Sequence, residues 1–161
     1  MAIYSFPPII NDDAEILILG SMPGEESLRL NQYYAHRRNS FWPIMFTLFD
    51  QEFSEDYSDR VNLLLNHKIG LWDVLASCDR EGSLDSKIKN EQINDFKALF
   101  SRYLNIKVVL FNGAKARQSF KRHVKLSGQE DLVFYQMPST SPAHAIPFEQ
   151  KLDQWSIIKT L

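Results

Sequence analysis

Four segments dominated by apolar residues punctuate the chain: Glu15–Leu19, Ile69–Leu75, Ile106–Phe111 and Leu132–Met137. Each has the length of a strand, and the apolar residues are continuous rather than alternating, the pattern of a sheet buried on both faces. Between them apolar positions recur at the helical period. Tyr57, Val61, Leu64 and Leu65 share one face, and so do Ile93, Phe96, Leu99, Phe100 and Tyr103. A shorter helix is expected from Ala114 to His123, and a last one from Pro147 with Phe148, Leu152, Trp155 and Ile158 inward. Asn90 and Asp56 suit helix N-terminal caps, and Pro43 is tolerated in the first turn of a helix starting near Ser40. Strand alternating with helix four times predicts one α/β domain over residues 1–161, with three α/β/α layers around a central four-stranded, mostly parallel sheet. No repeat, low-complexity tract or linker interrupts it.

Composition narrows the class. The 161 residues are enough to bury one substantial core. No apolar run approaches the roughly 20 residues that span a membrane, and the N-terminus lacks a basic-then-apolar leader, so a cytoplasmic protein without a membrane partner is expected. Cys78 stands alone, which excludes an internal disulfide framework, and His36, His67, His123 and His144 are scattered without metal-ligand spacing. Neither a metal nor another cofactor is expected. The net charge of −2 hides a local asymmetry. From Asn112 to Gln129 the chain carries Lys115, Arg117, Lys121, Arg122 and Lys125 and no acid, and Arg29, Arg37 and Arg38 add to this. Such polarity serves either a solvated helix face or the approach of phosphate to one side of an acidic protein.

Three segments carry candidate chemistry. Gly20-Ser21-Met22-Pro23-Gly24 directly follows the first strand, where open α/β sheets place their ligands. It is neither a Walker loop nor Gly-x-Gly-x-x-Gly. It is a structural turn, or a close backbone approach whose groups at Ser21 and Met22 read a ligand edge. Tyr33 to Trp42 packs aromatics, His36 and Asn39 together ahead of a helix. Phe41 and Trp42 suit core anchors, whereas Asn39 either caps the helix or holds a water. Met137-Pro138-Ser139-Thr140-Ser141-Pro142 follows the fourth strand, and the hydroxyls of Ser139, Thr140 and Ser141 between prolines suit phosphate contact or a capped loop. Asn112, beside Gly113 at the end of the third strand, faces the same cleft or forms a turn.

Taken in order, these segments resemble the uracil-DNA glycosylase superfamily over nearly the whole chain, most closely its deoxyinosine (hypoxanthine) branch. Gly20 to Pro23 matches a first motif of type Gly-x-Asp/Asn-Pro. Tyr34 to Trp42 matches an aromatic-Ala-His-Pro-x-Asn-x-Phe-Trp segment, and Met137-Pro138-Ser139 matches a last motif of type His/Asn/Met-Pro-Ser. The resemblance implies that Tyr34 stacks on an extruded base and that Asp73 lies near the amide that reads the base edge in the uracil branch. It also implies that Ser139 to Ser141 press on DNA, and that Lys115 meets phosphate. Met22 stands where most members carry the acid or amide that activates water, and Arg37 stands where a proline is usual. In the deoxyinosine branch an asparagine of the second motif takes the water, which the resemblance places at Asn39.

The expected activity is therefore a monofunctional DNA glycosylase of base excision repair that releases hypoxanthine. It would act as a monomer on damaged DNA, duplex or single-stranded, with no Schiff-base lysine. Uracil is the neighbouring substrate. A catalytically silent nucleic-acid-binding domain and a hydrolase of free nucleosides or nucleotides are the other classes.

Overall fold

A computed structural model of the chain describes residues 1–129 and 131–161. In order the elements are β1 (Ala2–Tyr4), β2 (Ile16–Gly20), α1 (Glu25–Leu30), α2 (Phe41–Leu48), α3 (Tyr57–Asn66), β3 (Ile69–Asp73), β4 (Leu75–Asp79), β5 (Lys89–Ile93), α4 (Phe96–Arg102), β6 (Val108–Asn112), α5 (Ala114–His123), β7 (Val133–Met137) and α6 (Phe148–Trp155). A 3₁₀ turn, Ser156–Thr160, extends α6.

The four expected strands form one sheet in the order β3-β2-β6-β7, every pair parallel. Continuous apolar runs in β2 and β6 fit this position, because both strands are buried along their whole length. Alternate residues feed two cores. Ile16, Ile18, Ile69, Leu71, Val108 and Leu110 face Trp42, Leu64 and Trp155 from α2, α3 and α6. Leu17, Leu19, Val109 and Phe111 face Phe96, Phe100 and Phe120 from α4 and α5. The expected three-layer α/β/α architecture is present.

Four expectations on the elements are corrected. The run Ile69–Leu75 is not one strand. At Val74 the chain donates to the Gly20 carbonyl (2.8 Å), and from Leu75 it enters a second, antiparallel sheet of order β1-β4-β5. Ile93 belongs to β5, opposite Leu75, rather than to a helix. Asn90 caps nothing: it sits at φ 54° in the irregular β4–β5 pairing and donates to Asp79 at 2.6 Å. The cap of α4 is Asp95, which accepts from the Ala98 N–H at 3.0 Å. Strand and helix periods run together there, and only the Asn94-Asp95 break separates them. Finally, Phe148 is exposed at the first position of α6, ahead of the part of the helix that reaches the core.

The sheet aims its carboxyl ends at one place. The register pairs Gly20 with Asp73 and Asn112 with Met137, so the ends of all four strands lie level. The connections leave β2 toward β3 on one side and return to β6 on the other, which opens a crevice at that edge.

Candidate active site

A cleft of about 620 Å³ occupies this crevice. The strand ends supply Asp73 and Asn112, the first turn Ser21 to Gly24, and the second motif Tyr33, Tyr34, His36 and Asn39. The loop after β7 supplies Ser139 to His144. The structure thus brings together Asn39, Ser21, Met22, Tyr34, Asp73, Asn112, Ser139, Thr140 and Ser141, which are spread over 121 positions from Ser21 to Ser141. Lys115 is not among the lining residues. It lies on α5, where its ammonium pairs with Glu91 of β5 at 2.9 Å.

Hydrogen bonds fix the cleft wall. Asn112 is committed to Thr140: its Nδ2 donates to Oγ1 and its Oδ1 accepts from the backbone N–H, both at 2.9 Å. The Thr140 carbonyl accepts in turn from the Ser40 N–H at 3.0 Å, tying the second motif to the third. Behind the loop, Trp155 Nε1 donates to the Pro138 carbonyl and the buried Lys151 Nζ to the Ser141 carbonyl. Tyr33 is bolted by its hydroxyl to the Pro7 carbonyl and by its own carbonyl to Trp42 Nε1.

Asn39 makes the contact at the helix start that the sequence allowed, and it belongs to the cleft lining. Its Oδ1 accepts from the Phe41 N–H at 2.9 Å at the start of α2, and the side chain lines the cleft. Met22 is 7% exposed and packs into the core beneath the sheet, so the turn supplies a thioether where water activation needs oxygen or nitrogen.

The cleft floor is the electrostatic centre. Asp73 is 3% exposed and its Oδ2 has no hydrogen-bond partner among the described residues. Burial, helped by the charge of Asp85, pushes its pKa up to about 7, against a smaller lowering by Arg80. Tyr34 sits at φ 52°, with its ring 4.3 Å from that of Phe41. Its hydroxyl is likewise buried without a hydrogen bond of sound geometry. Burial and then Asp73 raise its pKa far above the ordinary phenol value, tempered by the nearby Asn112 amide. Glycine is obligatory beside them for space: a Cβ on Gly20 would stand 2.5 Å from Asp73 Oδ1 and 2.7 Å from the Tyr34 hydroxyl. Gly20→Ala should therefore destabilise the protein by about 1–3 kcal/mol, and at about 2–4 °C per kcal/mol its melting temperature should drop visibly in a thermal scan.

Sequence reasoning missed one wall. The β4–β5 connection contributes Ser83, Leu84 and Asp85, with Ser21 Oγ donating to Asp85 Oδ1 at 2.7 Å and the Glu25 N–H to Ser83 Oγ at 2.8 Å. Arg80, 9% exposed, braces the glycine turn by donating to the Pro23 carbonyl at 2.6 Å. These residues fall in a charged, aperiodic stretch that reads as a solvated loop, and only the turn chemistry of Gly82-Ser83 marks it. The lining contains Glu25, Glu26, Asp73 and Asp85 but no lysine or arginine. Arg37 and Arg38 are exposed and border a shallower depression with Ala35, His36 and Glu26. Such an interior favours an uncharged ligand with hydrogen-bond donors, and leaves anions to the rim. No three His, Cys, Asp or Glu side chains among the described residues converge as a metal-ligand set.

Comparison with known proteins agrees with this geometry. A family model described as the uracil DNA glycosylase superfamily matches residues 7–161. A hypoxanthine DNA glycosylase of Methanosarcina barkeri is 39% identical over 152 residues, 94% of each chain. Another, from Methanosarcina acetivorans, is 35% identical over 154 residues, 95% of each. A solution structure from M. acetivorans, described provisionally as a uracil DNA glycosylase, superimposes with a TM-score of 0.84 at 33% identity, over 98% of this chain and 96% of that one.

Proposed function

Because the chain belongs to the uracil DNA glycosylase superfamily, we propose that it hydrolyses the N-glycosidic bond of deoxyinosine in DNA and releases hypoxanthine. One observation carries the choice of base: the buried, unpartnered carboxylate of Asp73 on the cleft floor. A carboxylate accepts from the N1–H of hypoxanthine, whereas adenine presents a lone pair at N1 and is repelled. The relatives named hypoxanthine DNA glycosylases support the same reading.

A base inside a duplex is out of reach, so the nucleotide flips into the cleft at a cost of a few kcal/mol, less at a mispair. Base stacking on an aromatic ring offsets about 1–3 kcal/mol of this. Cleavage breaks the C1′–N9 bond, and its electron pair leaves with the purine, which then takes a proton from solvent. Water adds hydroxide to C1′ and gives up its other proton. Asn39 orients that water: Oδ1 keeps a second lone pair beside the one used by Phe41, and Nδ2 is a donor. With no lysine in the lining, the reaction stops at the abasic site. The protein acts as a monomer, with DNA phosphates on the cationic rim rather than in the acidic interior.

The acidic lining also weighs against a hydrolase of free nucleotides, whose phosphate would meet Glu25, Glu26 and Asp85. Chromatography of the free base from a duplex carrying one deoxyinosine tests the reading. Hypoxanthine should be released from the duplex, with free deoxyinosine left intact. Release from the nucleoside alone would overturn the proposal. Arg37→Ala and Arg38→Ala should each weaken duplex binding regardless of sequence and reduce the slope of log affinity against log salt by about 1, as a binding titration at several salt concentrations would show.

A further inference from the structure

Three costs coincide at one point of the cleft. Tyr34 holds φ at 52°, uncommon for an aromatic residue. Its hydroxyl and Asp73 Oδ2 are both buried without hydrogen bonds among the described residues. Gly20, packed against both side chains, has no room for a methyl group. Buried polar groups in folded proteins nearly always find partners, so two orphans on one cleft wall mark a place where the partner arrives with the ligand.

We propose that the Tyr34 hydroxyl and the Asp73 carboxylate are a matched donor and acceptor for a lactam edge, the phenol donating to the oxygen at C6 of the flipped purine while the carboxylate accepts from N1–H. This rests on the deaminated-base reading of the cleft and gives Tyr34 a polar task in place of base stacking, its ring packing on Phe41. The Ser21 hydroxyl is spent on Asp85 and one N–H of the Asn112 amide on Thr140, its other lying near the Tyr34 oxygen, which leaves the phenol proton to donate. Burial beside Asp73 keeps the phenol protonated, hence a donor, across the working pH range. Adenine presents the opposite pattern, an acceptor at N1 and a donor at C6, and mismatches both groups at once. As the glycosidic bond breaks, negative charge spreads over the purine to its C6 oxygen, so the phenol hydrogen bond strengthens along the reaction and raises kcat.

Tyr34→Phe isolates the hydroxyl, since it keeps the ring on Phe41. The variant is to be compared with the wild type on duplexes carrying one deoxyinosine or one deoxy-6-thioinosine, which keeps N1–H but carries sulfur, a weak acceptor, at C6. On deoxyinosine kcat/KM should fall about 10- to 100-fold, with a clearly smaller loss on deoxy-6-thioinosine and a melting temperature equal to or above that of the wild type. Inhibition by free hypoxanthine should weaken in parallel. Equal losses on both substrates would reduce Tyr34 to packing and overturn the proposal, and so would an unchanged rate on deoxyinosine. Wild-type protein that releases hypoxanthine from neither duplex nor single-stranded DNA would instead remove the deaminated-base reading itself.

Discussion

Asn39→Ala is expected to lower the rate of hypoxanthine release about 100- to 1000-fold, the usual effect of losing one preorganised polar group at a reacting centre. The side chain stands in the cleft at the start of α2, and Met22 in the first turn is apolar. Because Asn39 also accepts from the Phe41 N–H, the same variant should lose about 1 kcal/mol of stability, a typical helix-cap effect. The two consequences separate cleanly. Asn39→Asp keeps the accepting oxygen and should melt near the wild type, but it replaces the amide donor with a second negative oxygen beside an already acidic cleft. A single-turnover assay alongside thermal unfolding distinguishes them: Asn39→Ala that is merely less stable, with an unchanged rate, would remove Asn39 from the chemistry.

The second large effect is Asp73→Asn, in which two quantities move in opposite directions. Preference for deoxyinosine over deoxyadenosine should shrink about 10- to 100-fold, because the amide can turn a donor toward adenine N1 and no longer repels it. An unchanged ratio, measured on matched duplexes, would sink the assignment. Stability should respond with a definite sign. The carboxyl pKa lies near 7 in the fold against 3.8 ordinarily, raised by burial and Asp85, lowered by Arg80, with the neutral Tyr34 phenol alongside. Below 3.8 both states are protonated and the group costs nothing. As pH rises toward 7 only the unfolded chain releases its proton, so the fold loses stability on the order of 4 kcal/mol. Asp73→Asn carries no such penalty and should unfold at the higher denaturant concentration above pH 7. The carboxylate form accepts from N1–H, so kcat/KM on deoxyinosine should rise with pH through about 7, and the variant should lose that limb.

The main sheet was legible because β2 and β6 are buried on both faces, which forces continuous apolar runs and so a parallel, covered arrangement. Helix α5 could be read to its ends because Gly113 and the basic His123 end bracket one amphipathic stretch. The second sheet was hidden for the opposite reason. The residues of its strands β1 and β5 are exposed or half-buried, so neither alternation nor an apolar run announces them. At the site, Ser21, Met22, Asp73 and Asn112, at or just beyond strand ends, line the cleft, since strand register sets those positions. What the sequence could not reveal is how neighbours use the polar groups. Asn112 spends its amide on Thr140, Lys115 its charge on Glu91, and Asp85 arrives from a loop with no pattern at all. Those outcomes depend on side chains from distant segments meeting in space, which local periodicity does not encode.

The most direct test of the account is alkaline strand cleavage after incubation with three matched duplexes carrying a single deoxyinosine, deoxyuridine or deoxyadenosine, with Asn39→Ala in parallel. Breaks at inosine alone, lost in the variant, are the predicted result. Breaks at uracil that persist in Asn39→Ala, with inosine untouched, would contradict both the base assigned to the cleft and the residue assigned to the water.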